Sequence, residues 1–355
     1  MLTPLRVGNK PLSGTTIGNL QELEDRLSRP TRQVVDALSR LSGDILVLGA
    51  GGKMGPSLAR MAQRASTDAG EQRRVIAVSR FSDPQTAEKL NAWGVETIQG
   101  DLFDPTFVES LPACPYVVFM LGFKFGTSHN PAMTWATNVY IPALVCRHFP
   151  TSRIVAFSSG NVYGPVPVKP GDGSVEPDTL HPVGEYSMSA LGRERIFEYF
   201  SQTNGTLTSI LRLNYSTEMR YGVLVDIATQ VWKQQPINLE TAYVNVIWQG
   251  DANAYALCSL EHAASPPFLL NMTGPDRIRC RDLCTRFGEK FDKKVELVGS
   301  EGPKALLNDS SKAHQLYGPP QVSLDQLIDW TANWVSNGGP NLNKPTHYEV
   351  TDGKF

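Results

Sequence analysis

The chain has 355 residues, 41% of them hydrophobic, with 33 Lys and Arg against 35 Asp and Glu, which suits one large α/β domain or two smaller ones. A formal net charge of -2 gives no electrostatic reason to expect nucleic acid or an anionic membrane as a partner. No apolar run approaches the roughly 18 residues of a membrane span, and Met1 is not followed by a basic segment and an apolar core.

The expected location is therefore the cytoplasm. The five cysteines, Cys114, Cys146, Cys258, Cys280 and Cys284, suggest reduced, buried thiols. Cys280 and Cys284 lie four apart, as two residues on one helix face would, and no matching pair elsewhere makes a metal site.

Residues 1–43 precede the first strand. Leu20, Leu23 and Leu27, then Val34, Val35, Leu38 and Leu41, recur at helical spacing on either side of Pro30. The pattern predicts a two-helix extension packed on the main body. From Asp44 onward strand and helix alternate, with strands expected over 44–48, 74–79, 95–99, 116–121 and 153–158 and helices over 84–93, 131–149 and 184–203. The strands are continuous apolar runs, as parallel strands buried on both faces should be. The expected fold class is α/β: a Rossmann-type doubly wound parallel sheet over 44–212, with ligands at the carboxyl ends of its strands. Beyond it, helices over 221–234, 253–262, 280–291 and 323–336 predict a smaller substrate lid over 213–337. The tail, 338–355, is rich in Gly, Pro and Asn and reads as irregular. Its run from Lys344 to Glu349 could fold back on the lid.

The first strand leads into Gly49-Ala-Gly-Gly-Lys-Met-Gly55, then into a helix. Strand, glycine turn and helix in that order form a phosphate-binding unit. Gly49 permits the turn, Gly52 lets backbone approach a diphosphate, and Gly55 lets the helix pack closely on the strand. Gly51, Lys53 and Met54 belong to the same turn and are candidate cofactor contacts. The second strand ends at Ser79 and Arg80 with no acid close behind, which favours NADP over NAD because a carboxylate there would repel the 2′-phosphate. The plainer alternative is that Arg80 is a solvated cation stacking on adenine.

Strand five runs into Phe157-Ser-Ser-Gly-Asn-Val-Tyr-Gly164, and Glu185-Tyr-Ser-Met-Ser-Ala-Leu-Gly-Arg-Glu194 opens a later helix. With the glycine turn and Gly100-Asp-Leu102, these resemble the extended short-chain dehydrogenase/reductases, specifically the NAD-dependent epimerase/dehydratase family. The resemblance covers residues 44 to 335 and includes Arg212-Leu-Asn-Tyr, Val244-Asn-Val-Ile before Asp251, and Leu270-Asn-Met-Thr-Gly-Pro. It implies NAD(P)-dependent hydride transfer at a hydroxyl-bearing carbon of a sugar or nucleotide-sugar, as an epimerase, dehydratase or dehydrogenase. By the same match Tyr186 is the general acid/base and Ser159 polarises the substrate oxygen. Asp101 and Leu102 would hold adenine. Leu121, Gly122, Phe123 and Lys124 would line the cofactor, with Ser158 beside them and Asn138 on the helix behind. A homodimer formed by the helices at 131–149 and 184–203 is the family default.

The departure is Ala190, where the family's lysine should stand. A tyrosine phenol, with an ordinary pKa near 10, needs a neighbouring cation to act as a base at neutral pH. Three readings stay open: Lys124 lends its ammonium, Tyr186 serves only as a hydrogen-bond or proton donor, or catalysis is lost and the protein binds dinucleotide as a sensor. Arg193 is the less favoured source of that charge, because seven helical residues rise ~10 Å from Tyr186. Asn161, Asn214 and Asn245 are candidate substrate contacts, although loop asparagines commonly cap turns. The six histidines form no metal-ligand spacing; His181 could edge the pocket.

Overall fold

The computed structural model describes residues 16–350 except 125, 128, 170 and 172, together with Gly353. The first fifteen residues of the expected extension and positions 351, 352, 354 and 355 of the tail lie outside the described residues.

Seven parallel strands form the central sheet: β1 (Ile45–Leu48), β2 (Val75–Ser79), β3 (Glu96–Gln99), β4 (Tyr116–Phe119), β5 (Arg153–Ser159), β6 (Thr208–Leu213) and β7 (Phe268–Met272). Their spatial order is β7-β6-β5-β4-β1-β2-β3. The order reverses between β1 and β4, which opens a crevice at the strand ends. β1 and β4 are buried along their whole length, as their Ile-Leu-Val-Leu and Tyr-Val-Val-Phe runs require. β3 departs from that expectation. It is the edge strand, flanked on one side only, and its Glu-Thr-Ile-Gln sequence is partly exposed. β4 ends at Phe119 rather than at 121. β7 comes from the C-terminal half of the chain and completes the sheet beside β6.

The extension contains α1 (Leu20–Leu27) and α2 (Arg32–Ser39), capped by the side chains of Asn19 and Thr31. Each packs into a different core. Val34, Ala37 and Leu38 join the sheet core. Leu23 and Leu27 join a second core built from α5 (Val223–Trp232), the helix Cys280–Phe291 and α7 (Leu324–Ser336). Three further helices are α3 (Gly55–Asp68), α4 (Gly184–Asn204) and α6 (Gln249–Cys258). All five cysteines are buried and unpaired.

The helix expected over 131–149 is broken. Pro131–Trp135 is α-helical, Ala136–Tyr140 is a π turn, and Ile141–His148 resumes the α-helix. Pro142 has no N–H to give back to the carbonyl four residues earlier, so the hydrogen-bond ladder slips by one residue there. Two short helices, Pro105–Ser110 and Ser311–Tyr317, carry no strong periodic signal and stand outside the expected elements.

Candidate active site at the strand ends

β1 ends in a left-handed residue, Gly49, at φ +82, whose N–H bonds the Val78 carbonyl at 2.9 Å. Gly55 meets a packing limit: a Cβ there would lie 2.4 Å from the Ala50 carbonyl oxygen. Gly52 is different, because its nearest obstacle would be the Gly49 carbonyl oxygen at 3.4 Å. Nothing in the protein itself demands glycine at 52, whereas close approach of a ligand would. The first turn of α3 begins at Met54 with no side-chain cap. Its backbone donors and helix dipole face the turn, which suits a diphosphate. These features fit a dinucleotide.

A cavity of about 680 Å³ opens over this turn. It brings together Gly49, Gly52, Lys53, Met54 and Gly55 from the turn, and Gly122, Phe123 and Lys124 from the segment after β4. The end of β5 adds Ser158, Ser159 and Asn161, α4 adds Tyr186, and the segment after β6 adds Asn214. The Lys124 ammonium lies 5.6 Å from the centroid of the Tyr186 ring. Burial lowers its pKa to about 8, against the opposing pull of Asp226. Ser159 is buried, and its hydroxyl accepts from the Asn161 N–H at 3.2 Å.

Several expected contacts stand outside the cavity. Gly51 packs under Ser79, where a Cβ would meet the Ser79 hydroxyl at 2.5 Å. Leu121 is backbone support, 2.8 Å from where a Gly49 Cβ would sit. Arg80 is exposed, and its carbonyl accepts from the Gln99 amide. Asp101 is exposed and caps the Phe103 N–H, and Leu102 is buried beside it. Asn245 lies behind Asn214, accepting from its amide at 2.7 Å. Asn138 acts from the wall, accepting from the Phe123 N–H at 2.9 Å and donating to the Phe123 carbonyl at 3.1 Å. The π turn that holds it is what aims this side chain at the segment after β4.

Ser158 lines the cavity, but its hydroxyl donates to Glu194 at 2.5 Å. Glu194 is fully buried and pairs with Arg212 at 2.8 Å. Arg212 also donates to the Tyr163 hydroxyl, which donates in turn to Asn271 at 2.8 Å. This buried network ties α4 to β5, β6 and β7 beneath the site.

Arg193, disfavoured on axial rise, still reaches the cavity. Helical side chains lean toward the N-terminus, so a long residue two turns on covers the turn before it. Its guanidinium lines the same cavity as Tyr186, donating to the Phe157 carbonyl at 2.8 Å and to Asn138. Gly122 makes room for it, since a Cβ there would lie 2.9 Å from Nη2. Ala190, one turn nearer Tyr186, packs against Val162 and Tyr163.

Sequence reasoning missed the lid-side wall: Tyr215, Tyr221, Gln249 and the tail from Asn343 to His347. Thr346 anchors the tail, its N–H and hydroxyl both donating to Asp226 at 2.8 and 2.6 Å. The Tyr348 carbonyl accepts from Thr241. No periodic pattern marks this segment. His181 is not among the residues that line the cavity.

A parallel seven-stranded sheet with a glycine-turn crevice defines the chain as a Rossmann-type protein. Residues 45–217 match the sequence profile of the NAD dependent epimerase/dehydratase family. Over that stretch the chain is similar to this family. A search of curated protein sequences finds no match.

Among solved structures, an epimerase of Methanothermobacter thermautotrophicus is similar at TM-score 0.69 and 17% identity, covering 87% of this chain and 97% of its own. The UDP-glucose 4-epimerase of Thermus thermophilus, in complex with NAD, superposes at TM-score 0.67 with 18% identity, over 83% of this chain and 99% of its own. The dTDP-glucose 4,6-dehydratase DesIV of Streptomyces venezuelae, with NAD bound, reaches TM-score 0.70 at 16% identity, over 83% of this chain and 97% of its own. These chains are spanned almost whole, so the present chain carries segments that they do not.

Proposed function

We propose that the protein is an NAD(P)-dependent epimerase, dehydratase or dehydrogenase acting at a hydroxyl-bearing carbon of a nucleotide-sugar. The observation that carries the reading is one cavity holding the glycine turn, Ser159, Tyr186 and Lys124. The nicotinamide, when bound, accepts or returns the hydride. The chain's own groups handle the oxygen. The Ser159 hydroxyl donates a hydrogen bond to it, and Tyr186 takes up or returns its proton. Lys124, against the Tyr186 ring, supplies the positive charge that Ala190 does not. Asn161 and Asn214 reach the substrate from the cavity wall, with residues 213–337 acting as the lid.

Similar structures solved with NAD and with UDP-glucose or UDP-glucuronic acid support this cofactor and substrate class. Arg80 favours NADP over NAD, and the cell compartment that fits is the cytoplasm. Met133, Trp135, Tyr140, Met188 and Tyr199 are exposed on the two helical segments expected to pair, which supports a homodimer.

The test is turnover of a nucleotide-sugar panel with NAD and NADP by wild type, Lys124→Ala, and Lys124→Ala with Ala190→Lys. Loss in the single variant and recovery in the double is the expected result. Unchanged turnover in Lys124→Ala refutes the replacement. The second reading, a non-catalytic dinucleotide sensor, is favoured by Ala190. Nucleotide binding with no turnover across the panel would establish it.

A further inference from the structure

A single buried amide joins the segment after β4 to the helix that carries Tyr186. Asn138, in the π turn, is 0% exposed, and both ends of its side chain are in use. Its oxygen accepts from the Phe123 N–H at 2.9 Å and from the Arg193 guanidinium. Its nitrogen donates to the Phe123 carbonyl at 3.1 Å and to the Ser189 hydroxyl at 2.9 Å. Phe123 is the chain neighbour of Lys124, and the Ser189 hydroxyl donates to the Tyr186 carbonyl at 2.9 Å. The amide therefore reaches toward Lys124 on one side and toward Tyr186 on the other.

Arg193 governs that amide. A guanidinium only donates, so it admits the Asn138 oxygen and turns away the nitrogen. A cation on the oxygen also polarises the amide and strengthens the two bonds that its nitrogen donates. The other arm of the fork holds the Phe157 carbonyl at 2.8 Å, just before Ser158 and Ser159 at the end of β5. Two acceptors on separate elements suit the planar fork of arginine better than the single point of lysine. Gly122 leaves the space, and the Phe119 ring lies 5.8 Å away from the guanidinium carbon.

Stability does not account for this residue. The guanidinium is buried, and its Nε has no hydrogen-bond partner among the described residues. Burial pushes its pKa down, opposed by Tyr186 and by Glu194, which is itself held by Arg212 and Ser158. Two neutral oxygens recover only part of the cost of burying a charge. Position 190 offers no more than a buried methyl group, so the cation that α4 brings to the cavity comes from 193.

We propose that Arg193 is a positioning residue for the nicotinamide half of the site, which acts through Asn138 to set the segment after β4 against Tyr186. The assignment rests on the dinucleotide reading above. The diphosphate half would be held by the backbone of the glycine turn and the start of α3, which none of the Arg193 hydrogen bonds touches.

The experiment compares NAD with ADP-ribose, which lacks the nicotinamide, by calorimetry on the full chain. In Arg193→Met the affinity for NAD should fall about tenfold, while that for ADP-ribose stays at the wild-type value. Arg193→Lys keeps the charge without the fork, and should lose less of the NAD affinity with ADP-ribose again unchanged. It carries the same test where the methionine variant does not fold. The selective loss is a result that a merely structural residue would not give, because a loosened fold weakens both ligands alike. Equal losses for the two ligands, or NAD affinity unchanged in Arg193→Met, would overturn the proposal. So would failure of both variants to fold. Failure of NAD to bind the wild-type protein is a separate outcome: it refutes the dinucleotide reading and takes this assignment with it.

Discussion

The two walls of the cavity are built by opposite means. On the sheet side, the geometry is largely backbone: a left-handed Gly49, a close-packed Gly55, the uncapped first turn of α3, and the loop after β4 pinned by Asn138. On the lid side it is side chains from distant stretches, with Asn214 and Tyr221 meeting a tail more than a hundred residues away. Backbone features tolerate sequence change. Side chains are replaced one at a time. Under the proposed function, the lid side would select the substrate and the sheet side would hold the cofactor.

The sharpest break of that contrast lies in the network beneath both walls. Arg212→Met leaves Glu194, 0% exposed, as an uncompensated buried charge, at a cost of about 3–5 kcal/mol. Chemical denaturation measures it, and a loss under about 1 kcal/mol would mean the two halves are not joined here.

Asp251 on α6 gives the next largest effect. Burial raises it from 3.8 to about 7, although it accepts from the Val322 N–H at 3.1 Å. Between those values the folded state holds a proton that the unfolded state has lost, so stability falls as pH rises from about 4 to about 7 and then levels off. The span is worth roughly 4 kcal/mol. Asp251→Asn should flatten this slope and be stabilising above about pH 7. An unchanged slope in melts across that range would contradict the assignment.

The glycine turn offers a paired test of smaller size. Gly55→Ala forces a Cβ against the Ala50 backbone and should cost about 1–3 kcal/mol. Gly52→Ala meets no such obstacle and should stay within about 0.5 kcal/mol of wild type, yet weaken dinucleotide binding. Equal stability losses in the two would remove the distinction between a glycine kept for packing and one kept for a ligand.

The same contrast explains what could be read from the sequence. The alternating apolar runs, the glycine turn, Ser159 and Tyr186 were legible because parallel strands and their turns are local patterns. That Arg193 reaches the cavity was not foreseen, because rise along the axis was counted and the lean of the side chain was not. The broken helix at Pro142 was missed because an apolar period hides a one-residue slip in the ladder. Asn245 was placed too far forward, since nothing in a chain distinguishes a residue in the wall from one behind it. The run from Lys344 to Glu349 suggested a return to the lid, but its place in the cavity wall was not legible, because its anchors, Asp226 and Thr241, lie about a hundred residues upstream and follow no period.

The tail also yields a small stability effect and the most direct test of what the lid side does. Thr346→Val removes the hydroxyl that donates to Asp226 but keeps the backbone N–H bond to the same oxygen, so global stability should drop by only about 1 kcal/mol. With one of its two bonds to Asp226 gone, the tail holds Lys344 less firmly at the cavity mouth, whereas the glycine turn on the far wall is untouched. Dinucleotide affinity should therefore hold while substrate KM rises. If affinity for dinucleotide falls as much as affinity for substrate, the tail serves both walls, and the division of labour between backbone and side chains fails at the point where it is easiest to measure.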